Sequence, residues 1–240
     1  MSVIVVEDVV KDFKLHNNST LKDRLVRMIT RRTGDTTNQF RALDGVSFTV
    51  EAGDSIGLIG YNGSGKSTML KLISGVMRPD QGKVRYKGRM AGLIEVGAGF
   101  HPDLTGRENV FLNGAILGMT KAQIEAAFDD IVAFSEIEKF IDTEVRFYSS
   151  GMFLRLAFAV AVHTDPDIFL VDEILAVGDE PFQRKCLDRI HELQDQNKSL
   201  VIVSHDLDLI KSLCNRGILL EQGRVKVDGT SAEAVDALRA

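Results

Sequence analysis

The chain has 240 residues, 44% of them hydrophobic, and its 29 basic against 34 acidic side chains leave a net charge of −5. That length supports a sizeable core, the charge lacks the basic excess of a nucleic-acid binder, and no run approaches the ~20 apolar residues that cross a bilayer. Cys186 and Cys214 fall in predicted helices without metal-ligand spacing and read as reduced, packed thiols, as in a cytoplasmic protein.

Met1 to Val10 is a short apolar run containing Glu7 and Asp8, without the basic start and cleavage site of a secretory leader. Val3 to Val10 and Val46 to Val50 are β-branched and predict strands. Between them the polar stretch Lys14 to Gln39 reads as an insertion. Within it, about residues 18–33, Leu21, Leu25, Met28 and Ile29 share one helical face and Arg24, Arg27 and Arg31 another, with Ser19 as cap. Such a basic amphipathic helix either packs on its own domain or meets anionic lipid headgroups or a pyrophosphate.

Ser55 to Ile59 predicts a short buried strand and Met69 to Ile73 the start of a helix; between them runs Gly60-Tyr61-Asn62-Gly63-Ser64-Gly65-Lys66-Ser67-Thr68. Strand, glycine turn and helix in that order satisfy the phosphate-loop pattern G-x-x-x-x-G-K-S. The glycines let successive N–H groups point at phosphates, Lys66 reaches the outer phosphates, and the Ser67 hydroxyl is a hard oxygen ligand suited to Mg²⁺. Gly75 stops the helix, Pro79 to Gly82 is turn chemistry, and Lys83 to Lys87 and Ala91 to Glu95 predict strands.

After the loop Gly97 to Pro102, helical spacing from Thr105 to about Ile141 predicts a helical lobe. Tyr148-Ser149-Ser150-Gly151-Met152 opens a helix, Phe153 to Val162, that is apolar on nearly every face apart from Arg155 and is therefore buried. Its glycine-and-serine start is either a plain cap or an anion site. Ile168 to Val171, Leu200 to Val203 and Ile218 to Leu220 predict strands, separated by helices from Pro181 to Leu193 and Leu207 to Leu213. Apolar strands alternating with helices imply a parallel sheet covered on both faces. Asp172 and Glu173 end one such strand, where α/β sheets bind ligands; Asp172 suits Mg²⁺ and Glu173 a water attacking a γ-phosphate.

This succession of motifs resembles the nucleotide-binding subunit of ABC transporters over nearly the whole chain. The phosphate loop Gly60 to Thr68 matches, Tyr148 to Met152 looks like the signature motif, and Ile168 to Glu173 looks like the second nucleotide motif with its catalytic glutamate. Ala176 to Asp179 looks like the dimer-contact loop and His205 like the switch histidine; His16, His101, His163 and His191 keep a structural reading. The resemblance implies an α/β fold: a P-loop NTPase core with a mostly parallel sheet covered by helices, an antiparallel β subdomain and a helical subdomain at about 100–165. It implies one ATP-binding domain over 1–240. It also implies ATP and Mg²⁺ as cofactors, with Lys66, Glu173 and His205 catalytic and Ser67, Asp172 and Glu95 near the metal. Gly60, Asn62, Gly63, Ser64, Gly65, Lys66, Ser67 and Thr68 would bind nucleotide, as would Ser149, Gly151 and Asp179 of a second copy in a head-to-tail homodimer. Phe13 either stacks on adenine or packs at a strand end.

Departures from the pattern narrow the branch. Leucine, a second glycine and glutamine are usual where this chain has Tyr148, Ser150 and Met152, and Glu95 stands where glutamine is expected. Leu93 to Pro102 with Leu104-Thr105-Gly106-Arg107-Glu108-Asn109, and the charged insertion, look like the polysaccharide-exporter branch (Wzt type). That branch implies a membrane permease partner (Wzm-like), a lipid-linked glycan such as O-antigen, galactan, capsule or teichoic acid, and a peripheral place on the cytoplasmic face of the cell (inner) membrane. Some members append a carbohydrate-binding domain; with the chain stopping at Ala240, none is expected. The rival readings are an ABC subunit for another cargo, a drug or lipoprotein, and a soluble ABC-type switch.

Overall fold

The computed structural model describes residues 1–14, 39–92, 99–172 and 179–240. The insertion helix, Glu95, Glu173 and Ala176 to Gly178 lie outside the described residues.

Two sheets are present. β1 (Ser2–Lys14), β2 (Gln39–Glu51) and β4 (Gln81–Tyr86) form an antiparallel sheet in the order β2-β1-β4. β3 (Ser55–Ile59), β5 (Met90–Gly92), β6 (Ile168–Val171), β7 (Ser199–Val203), β8 (Arg216–Glu221) and β9 (Arg224–Thr230) form the second, ordered β5-β6-β7-β3-β8-β9. Its first five strands run parallel and β9 closes the edge antiparallel to β8. Every residue of β3, β6 and β7 is buried, as strands covered on both faces require.

Strand alternation divides that core in two. Ile59, Phe169, Val171, Leu200 and Ile202 face α4 (Ser150–Val162), α5 (Glu180–Asp195), α6 (Leu207–Leu213) and α7 (Ser231–Arg239). Ile56, Leu58, Ile168, Leu170, Val201 and Val203 face α1 (Lys66–Ile73) and the antiparallel sheet. Each such Leu, Ile or Phe contributes roughly 1.5–3 kcal/mol on burial.

The helical lobe consists of α2 (Gly106–Ile116) and α3 (Lys121–Ser135), each started by a capping box, Thr105 with Glu108 and Thr120 with Gln123. The continuous helical spacing from Thr105 therefore breaks after Ile116, where Gly118 takes a φ of 88°. α4 joins lobe to sheet: Leu156, Ala159 and Val160 pack into the lobe, while Phe158, Ala161 and Val162 pack on the sheet. Leu156→Ala would open a cavity at that junction, at a cost of about 2–5 kcal/mol.

Three local differences from the sequence expectations have physical causes. β4 begins at Gln81, inside the expected turn, because Gly82 sits at a bulge, φ 79°, where a Cβ would lie 2.3 Å from the Glu7 and Asp8 carbonyl oxygens. β9 and α7 were not expected at all. Their polar, half-exposed alternation hides β9, although Gln222-Gly223 and the Thr230–Glu233 capping box are turn and helix signals.

Candidate nucleotide site

The parallel topology brings the carboxyl ends of β3, β7 and β6 to one edge of the sheet. From that edge the chain continues into Gly60 to Thr68 after β3, His205 after β7 and Asp172 after β6. The residues expected to handle phosphate, metal and water thus leave neighbouring strands on the same side, the place where α/β sheets bind ligands.

The loop itself is shaped by glycine. Gly60 has φ 147° and a Cβ there would meet the Leu220 carbonyl oxygen at 2.2 Å; Gly65 has φ 107° and a Cβ would meet the Ala42 carbonyl oxygen at 2.7 Å. Gly65 starts α1 in a left-handed conformation, with no side-chain cap and no acid in the first turn. Amide groups left uncapped at a helix start form an anion site. Lys66 is buried and curls back, its Nζ donating to the Gly60 carbonyl oxygen at 2.7 Å and the Tyr61 carbonyl oxygen at 3.2 Å.

A cleft lies over this helix start, lined by Asn62, Gly63, Gly65, Lys66, Ser67 and Thr68 together with Phe40 and Ala42 of β2. Ser64 turns the other way: its hydroxyl is buried without a hydrogen-bond partner, and its backbone holds Gly223 N–H at 3.1 Å. Gly60 stands behind the cleft as a carbonyl acceptor for Lys66. The uncapped amides, the ammonium and the exposed Ser67 hydroxyl fit a polyphosphate, and Ser67 with Asp172 offers the hard oxygen atoms that Mg²⁺ takes.

Phe13 is half-buried, with Lys11 Nζ 5.9 Å from its ring centroid, and pairs in register with Phe40. Directly opposed residues of an antiparallel pair share a face, so both aromatic rings rise on one side of this sheet. Phe40, 47% exposed and on the cleft wall, was missed by sequence reasoning. The 24 residues numbered 15–38 separate the two strands, so the pairing of Phe13 with Phe40 carries no local sequence signal.

Ser149 and Gly151 are not among the cleft's lining residues. Ser149 caps α4, its Oγ accepting the Met152 N–H at 3.2 Å. Gly151 has no positive φ, and a Cβ there would meet nothing nearer than the Ser149 Oγ at 3.9 Å. Its own chain therefore does not demand glycine; what glycine provides is an open surface over the helix start.

Asp179 stands at the N-cap position of α5 yet makes no capping bond. Its carboxylate is drawn instead to Arg155 Nη2 at 2.5 Å, while Arg155 Nη1 donates to Glu136 at 2.7 Å and the guanidinium lies 4.8 Å from the Phe182 ring centroid. Arg155 had stood out only as the exception on an apolar helix. That was itself a signal, since a cation on a buried helix needs partners. His205 is exposed between Ser204 and Asp206, the residue whose carboxylate caps α6. Burial pushes the Cys186 and Cys214 thiols up to about 12, in keeping with packed, inert thiols.

A mostly parallel sheet with a glycine loop, a buried lysine and an uncapped helix start defines a phosphate-loop nucleotide-binding protein. Residues 43–176 match the ABC transporter family, and the chain belongs to it. It is 45% identical to an O-antigen export system ATP-binding protein of Myxococcus xanthus over 244 aligned residues, covering 100% of this chain and 56% of that protein. A protein of the same description from Klebsiella pneumoniae is 38% identical, with 98% of this chain and 96% of that one covered. The chain thus spans just over half the length of the first of these relatives. Among solved structures, the dimeric post-hydrolysis state of the ATP-binding cassette MJ0796 with ADP and phosphate superposes with a TM-score of 0.75. That match covers 95% of this chain and 98% of the cassette at 22% identity, a likeness of fold.

Proposed function

We propose that this chain is the ATP-hydrolysing subunit of an ABC exporter that moves a lipid-linked polysaccharide across the cytoplasmic membrane. The observation that carries the ATPase reading is the uncapped start of α1 beside buried Lys66, at the sheet edge from which Asp172 and His205 also depart. The cargo reading is supported by the O-antigen export system ATP-binding proteins that are 45% and 38% identical to the chain. No helix among the described residues is long and apolar enough to cross a membrane, so a separate permease would supply the path.

In this reading the amides of Gly63 to Thr68 and Lys66 hold the outer phosphates, and Phe13 or Phe40 faces the adenine. Ser67 and Asp172, with Glu95 as a further oxygen donor, would hold Mg²⁺, which when bound neutralises phosphate charge. Glu173 takes the proton of the attacking water and His205 contacts the γ-phosphate side. Ser149 and Gly151 of one copy cover the ATP held by its partner, and Asp179 lies at the seam. Catalysis is then mostly positioning and electrostatic stabilisation.

Two measurements test it. Lys66→Ala should lower the phosphate release of the purified chain by at least ~10²-fold, the scale of losing one key charge-stabilising group. Cells lacking the chain should accumulate lipid-linked glycan on the inner side of the membrane while the surface glycan disappears. Unchanged surface glycan with an active ATPase would instead indicate another cargo, and full turnover by Lys66→Ala would refute the site.

A further inference from the structure

Two stretches singled out in the sequence for separate reasons meet in the fold: the Leu104-to-Asn109 motif and the unusual Tyr148. Residues 102–107 are laced to residues 141–146 by four backbone hydrogen bonds. Arg107 N–H donates to the Ile141 carbonyl oxygen at 2.8 Å and Gly106 N–H to that of Thr143 at 3.1 Å. In the other direction Val145 N–H reaches Leu104 and Arg146 N–H reaches Pro102, both at 2.9 Å. Arg107 adds a charged pair with Asp142 at 2.7 Å. The fully buried Asn109 fixes the preceding turn, accepting from His101 N–H at 2.7 Å and donating to the carbonyl oxygens of His101, Leu104 and Thr105.

Tyr148 ends the laced segment. Its N–H bonds the Val145 carbonyl oxygen at 2.9 Å and its hydroxyl donates to the Phe140 carbonyl oxygen at 2.7 Å. A Cβ at Gly106 would lie 2.1 Å from that hydroxyl oxygen and 2.9 Å from the Ile141 carbonyl oxygen. Gly106 has no positive φ, so its backbone does not require glycine. The space it leaves is filled by the Tyr148 hydroxyl, whose pKa burial raises to about 12. The next residue in the chain, Ser149, caps α4, and Gly151 lies in that helix's first turn.

We propose that Tyr148, seated on Gly106, is a positioning residue that fixes the helix start at Ser149 and Gly151 relative to residues 102–107. The glycine of the Leu104-to-Asn109 motif and the tyrosine of the signature motif then form one device. The leucine usual at position 148 has no hydroxyl and could not make this bond. The inference rests on the reading that Ser149 and Gly151 cover a partner's ATP.

The test compares the full-length wild type, Gly106→Ala, Tyr148→Phe and Gly106→Ala/Tyr148→Phe by kcat, KM, melting temperature and single-chain affinity for a fluorescent ATP analogue. Gly106→Ala should lower kcat at least ~10-fold, since misplacement by about 1 Å suffices for such losses. Analogue affinity should hold, because the cleft around Lys66 is untouched. Adding Tyr148→Phe to Gly106→Ala should raise kcat toward the Tyr148→Phe level, because the nearer colliding oxygen is gone while the 2.9 Å approach to the Ile141 carbonyl oxygen remains. Gly106→Ala with wild-type kcat overturns the proposal, as does a double variant no better than the single one. If Gly106→Ala alone fails to fold, recovery of folding by Tyr148→Phe supports the seat and continued failure overturns it. Absence of turnover in the wild type would strike the underlying functional reading instead.

Discussion

His163 shows how one side chain's surroundings set a measurable property of the fold. Its ring stands edge-on to Phe134 at 5.6 Å and its Nδ1 lies 2.7 Å from the Ala159 carbonyl oxygen. Burial holds its pKa below the ordinary 6.5, outweighing the help of that hydrogen bond. With the folded value below the unfolded one, the unfolded chain binds the extra proton as pH falls through 6.5. Stability is therefore complete above that value and declines below it, with a slope no steeper than about 1.4 kcal/mol per pH unit. Urea unfolding between pH 7.5 and 5.5 should show the decline, and His163→Asn should flatten it. The sequence marked His163 as structural, and its neighbours bear this out; which aromatic ring it meets depended on tertiary packing.

At the scale of elements, Arg155 ties the end of α3, the apolar helix α4 and the start of α5 into one unit. Lys185 joins it, its Nζ on Glu136 at 3.2 Å and on the Phe134 carbonyl oxygen at 3.0 Å. The acids are largely exposed, Glu136 by 49% and Asp179 by 60%, so the stability at stake is modest. Arg155→Met should lower the melting temperature by only ~2–4 °C, the shift of about 1 kcal/mol in a chain of this size. The freed Asp179 can then cap α5, and turnover should fall more than the lost stability accounts for; a kcat equal to wild type would show that the tie is only structural.

The basic amphipathic helix expected at about residues 18–33 allows a second test at this scale. Arg24, Arg27 and Arg31 replaced by alanine should leave ATP turnover within about twofold of wild type, as for surface changes away from a site. Export in cells should drop. Export that survives the triple change would leave the expected helix a packing element only.

Elements with a strong local signal were legible: the all-buried strands, the glycine loop and the apolar helix from Phe153 follow from residue type and period alone. What was not legible depended on long-range pairing. Phe40 reaches the cleft only through its register with Phe13, and Gly106 meets Tyr148 only after the lobe has folded back on itself. β9 was missed because a half-exposed edge strand lacks the apolar run that marks its neighbours.

For the whole molecule, the proposed function requires that one copy hold only half of what hydrolysis needs. The cleft beside Lys66 is lined on its own chain by β2 and the glycine loop, while Ser149 and Gly151 present an open helix start elsewhere on the surface. ATP should therefore bring two copies together, and breaking the γ-phosphate bond should let them part. Glu173→Gln separates these steps, since it keeps the shape of the glutamate and removes its capacity as a base. The most direct measurement is the mass of that variant by light scattering, with and without Mg²⁺-ATP, beside its rate of phosphate release. The account predicts a chain of 26.4 kDa that doubles in mass with ATP and turns over at least ~10²-fold more slowly than wild type. A variant that stays at the single-chain mass in saturating ATP, or that hydrolyses it at the wild-type rate, would contradict it.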